Sequence, residues 1–234
     1  MAKKPKHNFT CKFCNKGYQR ESTLLSHKCV KRDRYNERES RPMREAYRMY
    51  LMFMEFQNLQ MKKSVDPIMQ FIQSSNFNIF YDFAVYILGN DILNKEEFIK
   101  HILTSGLPAY LWCTEKTHTE WVIKNIKNEH PRRGLERSIN AMVEWGVSTE
   151  QSWTDFFKLC STERALLWFE SGKLSPWIIY VPAPEVGNEL LVRFSPSELE
   201  YLSKFLEPNY FMMKQAHYLN EIKELRGLLK EAGL

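Results

Sequence analysis

Long apolar runs are missing from this sequence of 234 residues, and no stretch approaches the roughly 18 consecutive apolar residues of a membrane-spanning helix. Glycine is scarce: there are nine, and none stands in the GxxxxGK[ST] or GxGxxG spacing that cradles phosphates. The five cysteines are an odd number, which does not suit a framework of paired disulfides. These absences argue against a membrane span, a nucleotide-binding loop and a secreted disulfide scaffold.

Positive charge is concentrated at one end of the chain. The net charge is +5, but residues 1–63 hold 16 lysines and arginines against 6 acidic residues, whereas the remainder holds 17 against 22. A basic end is typical of proteins that bind polyanions, although a solvated basic tail gives the same count. The first residues are basic and lack the apolar core of a signal peptide, so we expect a cytoplasmic protein that contacts no membrane.

Four potential metal ligands lie in the segment FTCKFCNKGYQRESTLLSHKC, residues 9–29. Cys11 and Cys14 have two residues between them, His27 follows after twelve more, and Cys29 closes the segment. This spacing suits one tetrahedral zinc ion held by a knuckle and a short helix. His27 and Cys29 lie about 200° apart around an ideal helix, so we predict that the helix unwinds right after His27.

Three apolar residues complete the pattern, namely Phe9, Tyr18 and Leu24. With these landmarks the segment resembles the classical zinc finger of two strands and one helix, in a variant with three cysteines and one histidine. The resemblance implies that Zn2+ is the cofactor and that the helix starts near Arg20 and Glu21. A module this short cannot bury enough surface to fold alone, so we expect the metal to supply much of its stability.

The finger resemblance also implies where nucleic acid would be contacted. In this family the base-reading side chains lie just before the helix and at its third and sixth residues. Lysines and arginines of the finger and of the segment after it are expected to contact phosphates. The predicted nucleic-acid-binding residues are Lys12, Lys16, Arg20, Thr23, Ser26, Lys28, Lys31, Arg32 and Arg34. We expect DNA rather than RNA, with little sequence specificity, since one finger covers about three base pairs.

The chain divides into three predicted parts: a zinc finger with a basic arm at 1–30, a basic connector and a helix rich in aromatics and methionine at 31–63, and a helical domain at 64–234. The helix of the second part carries apolar residues on two faces, one of them marked by Met43 and Tyr50, the other by Met49 and Phe53. We predict that it is buried in a core. The alternative is an adaptable surface that binds another protein.

The predicted fold class is mainly α, with a small amino-terminal ββα finger and at most one short β-hairpin in the helical domain. The candidate hairpin pairs the apolar run at 177–181 with residues 190–194. Ser40 and Pro42 predict one helix start, Asp66 and Pro67 another. Farther along, Ser195 with Glu198 predicts a capping box, and a last helix is expected to run from Pro208 through the apolar stripe at 218–229.

Enzyme motifs are weak in this sequence. The triplet His118-Thr119-Glu120 has the H-x-E spacing of zinc deaminases, but the downstream PCxxC that supplies their other ligands is missing. No nucleophile with a base and an orienting partner is recognisable at the level of motifs. We therefore predict a non-enzymatic protein with no catalytic residues and no small-molecule substrate.

Short strings such as SHKC, KRDRY, SPWIIY and KEAGL make the whole layout similar to small zinc-finger proteins of T4-type tailed bacteriophages. This resemblance implies a phage-encoded factor of the host bacterial cytoplasm, acting in late transcription, DNA handling or virion assembly. We expect an accessory protein whose finger and connector contact nucleic acid while its helical body contacts a protein partner. The alternative is an adaptor or virion assembly factor, for example of the baseplate, whose finger is a docking module.

Overall fold

The structure, a computed structural model, describes residues 8–234, of which most are helical. A hairpin of two short antiparallel strands comes first, with Phe9 paired to Tyr18 and Thr10 to Gly17. The strands are β1 (Phe9–Thr10) and β2 (Gly17–Tyr18). The rest of the described chain is built from helices, so the predicted mainly α fold with an amino-terminal hairpin is confirmed.

The described chain separates into two compact units. The first contains residues 8–91 and Lys95–Thr114, and the second contains Ile92–Asn94 and Glu115–Leu234. These units cut the chain at places other than the ends of the predicted parts 1–30, 31–63 and 64–234. The finger, the connector and the aromatic helix thus belong to one compact unit.

The first unit holds six α-helices among its described residues, followed by a 3₁₀ turn at Ala109–Leu111. The helices are α1 (Glu21–Ser26), α2 (Val30–Asn36), α3 (Arg41–Phe56), α4 (Pro67–Gln73), α5 (Phe77–Gly89) and α6 (Lys95–Thr104). Two predicted starts are confirmed, because the side chains of Ser40 and Asp66 accept hydrogen bonds from the backbone of α3 and α4.

Aromatic side chains form the interior of the first unit. Along α3, Met43, Ala46, Met49 and Tyr50 are buried, so the core interpretation of this helix is confirmed. Tyr50 lies 5.0 Å from Phe71 of α4 and 5.5 Å from Phe80 of α5, measured between ring centroids. Edge-to-face and tilted pairs of this kind add to the stabilisation that burial provides.

The second unit is built from nine described helices and a 3₁₀ turn at Trp153–Asp155. They are α7 (Glu115–Asn128), α8 (Pro131–Thr149), α9 (Phe156–Leu159), α10 (Thr162–Glu170), α11 (Trp177–Tyr180), α12 (Pro184–Leu191), α13 (Pro196–Leu206), α14 (Pro208–His217) and α15 (Leu219–Glu231). The predicted capping box of α13 is confirmed, since Ser195 and Glu198 bond each other's backbone amides.

Helix α8 contributes Leu135, Met142 and Trp145 to the core of the second unit. The same core contains Phe169 and Trp177. At Gly134 the segment that precedes α11 comes so close that a methyl group would lie 2.5 Å from the Ser175 hydroxyl oxygen. Glycine is therefore required there because of space, and its backbone conformation is an ordinary helical one.

The predicted hairpin of 177–181 with 190–194 is wrong. Residues Trp177–Tyr180 form helix α11, and Pro184–Leu191 form α12. An apolar run without alternation indicates burial on all sides, and burial alone does not distinguish a strand from an interior helix. The predicted last helix also differs, because it is divided at Tyr218 into α14 and α15.

Candidate metal centre

The hairpin positions the first two potential ligands. Cys11 follows β1, and its amide donates to the Lys16 carbonyl at 3.0 Å, while its own carbonyl accepts from the Asn15 amide at 2.9 Å. Asn15 adopts the left-handed conformation, with φ of 60°, which asparagine tolerates better than most residues. These bonds close a tight knuckle, on which Cys11 and Cys14 project from one loop.

Two short helices position the other two ligands. Helix α1 ends at Ser26, and His27 already has extended backbone angles, with φ of −70° and ψ of 138°. Cys29 is also extended and is the N-cap residue of α2, where its sulfur accepts from the Arg32 amide at 3.4 Å. The predicted unwinding is confirmed: the chain leaves the helix at the histidine, which lets Cys29 turn back.

The four side chains converge on one point. Their ligand atoms all lie within 4.8 Å of one another, with Cys11 and Cys29 buried and the other two half-buried. The Cys11 and Cys29 sulfurs are 3.8 Å apart, as are the Cys14 sulfur and His27 Nε2. Sulfur atoms about 2.3 Å from a tetrahedral zinc ion would be about 3.8 Å apart. The predicted ligand set Cys11, Cys14, His27 and Cys29 can therefore hold one metal ion.

The histidine ring is oriented for coordination through Nε2. Its Nδ1 lies 2.5 Å from the Leu24 carbonyl, to which it donates when it carries the ring proton. In that tautomer the lone pair of Nε2 faces the cysteine sulfurs, an arrangement that metal-binding histidines commonly use. The Tyr18 ring packs against the other side, with 4.9 Å between the ring centroids.

The thiols of the cluster influence one another's pKa. Burial raises the pKa of Cys11, but hydrogen bonds from the Cys14 and Phe13 amides and from neighbouring thiols lower it more, from 9.0 to about 6. The pKa of Cys29 is raised, mainly by burial; the Arg32 amide lowers it in part, and the Cys11 thiol raises it. Three clustered thiols cannot all ionise easily without a cation among them, so the cluster favours a metal ion.

The knuckle contacts the helices that follow it in the first unit. The Phe13 carbonyl accepts from Gln73 Nε2 of α4 at 2.9 Å, and the Phe13 ring lies 5.4 Å from the Tyr35 ring of α2. Sequence reasoning missed these three residues. The only available signal was an aromatic residue between the two first cysteines, at a position that is not a landmark of the finger pattern.

The predicted nucleic-acid-binding residues are not equally available to a ligand. Those of the finger itself are exposed, whereas the three of the connector are half-buried. The exposed group consists of Lys12, Lys16, Arg20, Thr23, Ser26 and Lys28; the half-buried group consists of Lys31, Arg32 and Arg34. Arg32 also lies 3.8 Å from the Asp33 carboxylate.

Arg34 differs most from the expectation of a phosphate contact. Its guanidinium lies 3.8 Å from the centroid of the Phe77 ring. It also donates to Asn78 Oδ1 at 2.8 Å and to the Ile72 carbonyl at 3.3 Å. Burial lowers the pKa of the Arg34 guanidinium, but an arginine remains charged at neutral pH. This side chain joins α2 to α4 and α5.

Comparison with protein-family models, with curated proteins and with solved structures gave no match. Within residues 8–234, none of the helices combines the length and the apolar character that crossing a membrane requires. The function must therefore be argued from the metal cluster and its surroundings.

Proposed function

We propose that this chain is a non-enzymatic zinc-finger protein that binds nucleic acid as an accessory factor. The observation that carries the proposal is a potential metal cluster in a segment that also carries exposed cations. Lys16, Arg20 and Lys28 are exposed, and within residues 8–234 none of them forms an ion pair. Cations without internal partners are available to phosphates, and the metal would fix the backbone that presents them.

The proposed ion is zinc. Three sulfurs and one imidazole nitrogen at tetrahedral spacing form the donor set of a closed structural zinc site, whereas magnesium and calcium prefer oxygen ligands. All four positions are supplied by the protein, so the ion would hold the fold together rather than activate water. Elemental analysis of the purified protein should give about one zinc per chain.

The nucleic-acid proposal is tested by the salt dependence of binding. Labelled duplex DNA is titrated with protein at several salt concentrations, and each phosphate contact contributes about −0.9 to the slope of log affinity against log salt. Lys16→Ala and Lys28→Ala should each reduce the magnitude of the slope by about one.

Arg34→Ala is the matched control for those two lysines. It removes the same charge, but from a side chain that is bonded within the protein, so the slope should stay unchanged while the first unit loses stability. A protein that does not bind DNA at low ionic strength would contradict the proposal.

A second candidate function is an adaptor whose finger docks on another protein. It is favoured by two apolar side chains beside the ligands, since Leu25 is 71% exposed and Val30 is 63% exposed. An adaptor would be retained by its partner after nuclease treatment of an extract, and Leu25→Ser would weaken that retention. Under the nucleic-acid proposal, nuclease treatment abolishes retention and Leu25→Ser has little effect.

The cellular setting completes the proposal. The similarity of the sequence layout to zinc-finger proteins of T4-type phages favours action in the host bacterial cytoplasm. Late transcription and DNA handling suit a nucleic-acid-binding finger, whereas baseplate or other virion assembly suits the adaptor. In either case the helical second unit is proposed to supply the contact with a protein partner.

A further inference from the structure

A small pocket opens beside the knuckle of the finger, in the first unit. It has a volume of about 180 Å³ and is lined by Lys12, Phe13, Tyr35 and Met69. The four residues come from the knuckle, from α2 and from α4, so the pocket exists only because the finger contacts these helices.

Two aromatic rings form its walls. The Phe13 and Tyr35 rings are tilted by 48°, with centroids 5.4 Å apart, and both residues are half-buried. Both residues line the pocket, and Met69 adds an adaptable apolar side chain. Aromatic side chains that line a pocket are the surfaces on which proteins stack single bases.

The walls are held in place. The Phe13 backbone is fixed by the bond from Gln73, at 2.9 Å. The Arg38 guanidinium lies 4.4 Å from the Tyr35 ring centroid and donates to the Tyr35 carbonyl at 3.1 Å. A pocket formed in advance binds its ligand at a lower entropic cost.

One cation lines this pocket, and two more lie close to Tyr35. The Lys12 ammonium lies 5.0 Å from the Phe13 ring centroid. Lys31 precedes Tyr35 by one helical turn and so lies on the same face of α2. Arg38 covers the Tyr35 ring and has one acidic neighbour, the Glu39 carboxylate at 3.5 Å. A ligand with a flat apolar part and adjacent negative charges would match this arrangement.

We propose that the pocket binds one unstacked base of a single-stranded nucleic acid. The base packs against Phe13 and Tyr35, and the phosphates on either side contact Lys12 and Lys31. In a duplex the faces of a base are covered by its neighbours, so the pocket selects single strands or frayed ends. This inference rests on the proposed function and narrows its ligand from nucleic acid in general to single strands.

The experiment compares three labelled ligands by fluorescence anisotropy at low salt: a thymidine 12-mer, its duplex with the complementary strand, and a 12-mer of abasic deoxyribose phosphates. The thymidine strand should bind about tenfold more tightly than either of the others, because only it offers a free base. Equal affinity for all three would overturn the base pocket and leave the proposed function standing. No binding to any of them would overturn both.

Variants at Tyr35 test the pocket directly. Tyr35→Leu should weaken binding of the thymidine strand about tenfold and leave binding of the abasic strand unchanged, whereas Tyr35→Phe should keep both affinities. Tyr110→Leu is the matched control, since Tyr110 is 79% exposed and does not line the pocket. Equal weakening of both strands by Tyr35→Leu, or none, would overturn the inference.

A second measurement does not depend on the folding of a variant. A strand that contains bromodeoxyuridine is cross-linked to the unaltered protein by light, and the modified peptides are identified by mass spectrometry. Cross-links should fall on the peptides that carry Phe13 or Tyr35. Cross-links confined to other peptides would contradict the proposal.

Discussion

The finger and the second unit obtain a fixed structure in different ways. Between residues 9 and 29 only Cys11 and Cys29 are buried, and both are potential metal ligands. The second unit instead encloses large side chains such as Trp177, Phe169 and Phe211, each without exposed surface. A short segment cannot bury enough apolar area to offset its loss of conformational entropy, so bonds to a metal ion would take the place of a core.

Because of this difference, substitutions at the metal cluster and substitutions in the core of the second unit should affect separate parts of the molecule. Substitution of one potential metal ligand should unfold the whole finger and leave the second unit folded. Loss of one core ring should weaken the second unit and spare the metal.

Cys14→Ser should abolish metal binding and unfold residues 9–29. The reason is that zinc binding of this kind contributes about 10–16 kcal/mol of apparent free energy at neutral pH, most of which is folding free energy of the module. Elemental analysis should fall from about one zinc per chain to none, and amide resonances of the finger should lose their dispersion. Cys113→Ser is the control, because Cys113 lies outside the cluster and should leave zinc content unchanged.

Phe169→Ala should lower the free energy of unfolding of the second unit by about 3–5 kcal/mol, since it leaves a cavity at a fully buried position. Urea unfolding followed by tryptophan fluorescence measures the loss, and zinc content should not change. Leu167→Ala on the same helix is the control, because Leu167 is 60% exposed and should cost less than about 0.5 kcal/mol. Loss of zinc in Phe169→Ala would contradict the separation of the two regions.

Gly134→Ala should destabilise the second unit by about 1–3 kcal/mol, because the added methyl group would lie 2.5 Å from Ser175 Oγ and 2.9 Å from Trp177 Cδ1. Gly227→Ala gives the matched comparison, since its added methyl group meets nothing within 4 Å. In the middle of α15 that change should stabilise by about 0.5–1 kcal/mol. The same shift in melting temperature for both variants would show that space around α8 is not the deciding factor.

The apparent affinity for zinc should fall as the pH falls, because protons compete with the metal for the cysteine sulfurs. The pKa of Cys11 in the folded protein, about 6, lies below its ordinary 9.0. The stabilising contribution of its thiolate is therefore complete above pH 9 and lost as the pH falls through about 6. In the metal-free finger, which is unfolded, the Cys11 thiol keeps its ordinary pKa of 9.0, so below about pH 9 its proton competes with the metal and adds about one to the slope of log affinity against pH.

A chromophoric chelator that competes for zinc at each pH measures this slope. An affinity that does not change between pH 6 and pH 8 would contradict the role given to Cys11. A cysteine in the core of the second unit can be compared with Cys11 in the same measurement. Its buried Cys160 has a pKa raised to about 11, mainly by burial, and should contribute nothing to the slope.

Sequence reasoning succeeded where the signal is local. The cysteine and histidine spacing predicted the cluster, and the one-residue gap before Cys29 predicted the break after α1. Ser40, Asp66 and Ser195 predicted helix starts, since a cap acts on amides only two or three residues away. Such features need no information about distant parts of the chain.

The predictions from sequence were wrong where the structure of a segment depends on contacts with residues far along the chain. The run at 177–181 was predicted as a strand because it is apolar and β-branched, but it is buried among side chains of other helices and forms α11. Arg34 was predicted as a phosphate contact because of its charge, yet it bonds residues about 40 positions later. Composition cannot distinguish these uses of the same residue type.

Spacing and caps act over a few residues, so the order of residues alone predicts the four clustered cysteine and histidine side chains, the mainly helical character and several of the helix starts. Three features depend on the fold as a whole: the contact of the knuckle with α2 and α4, the bonds of Arg34 within the first unit, and the pocket at Phe13 and Tyr35. Burial is a property of packed neighbours, and those neighbours are brought together by the fold.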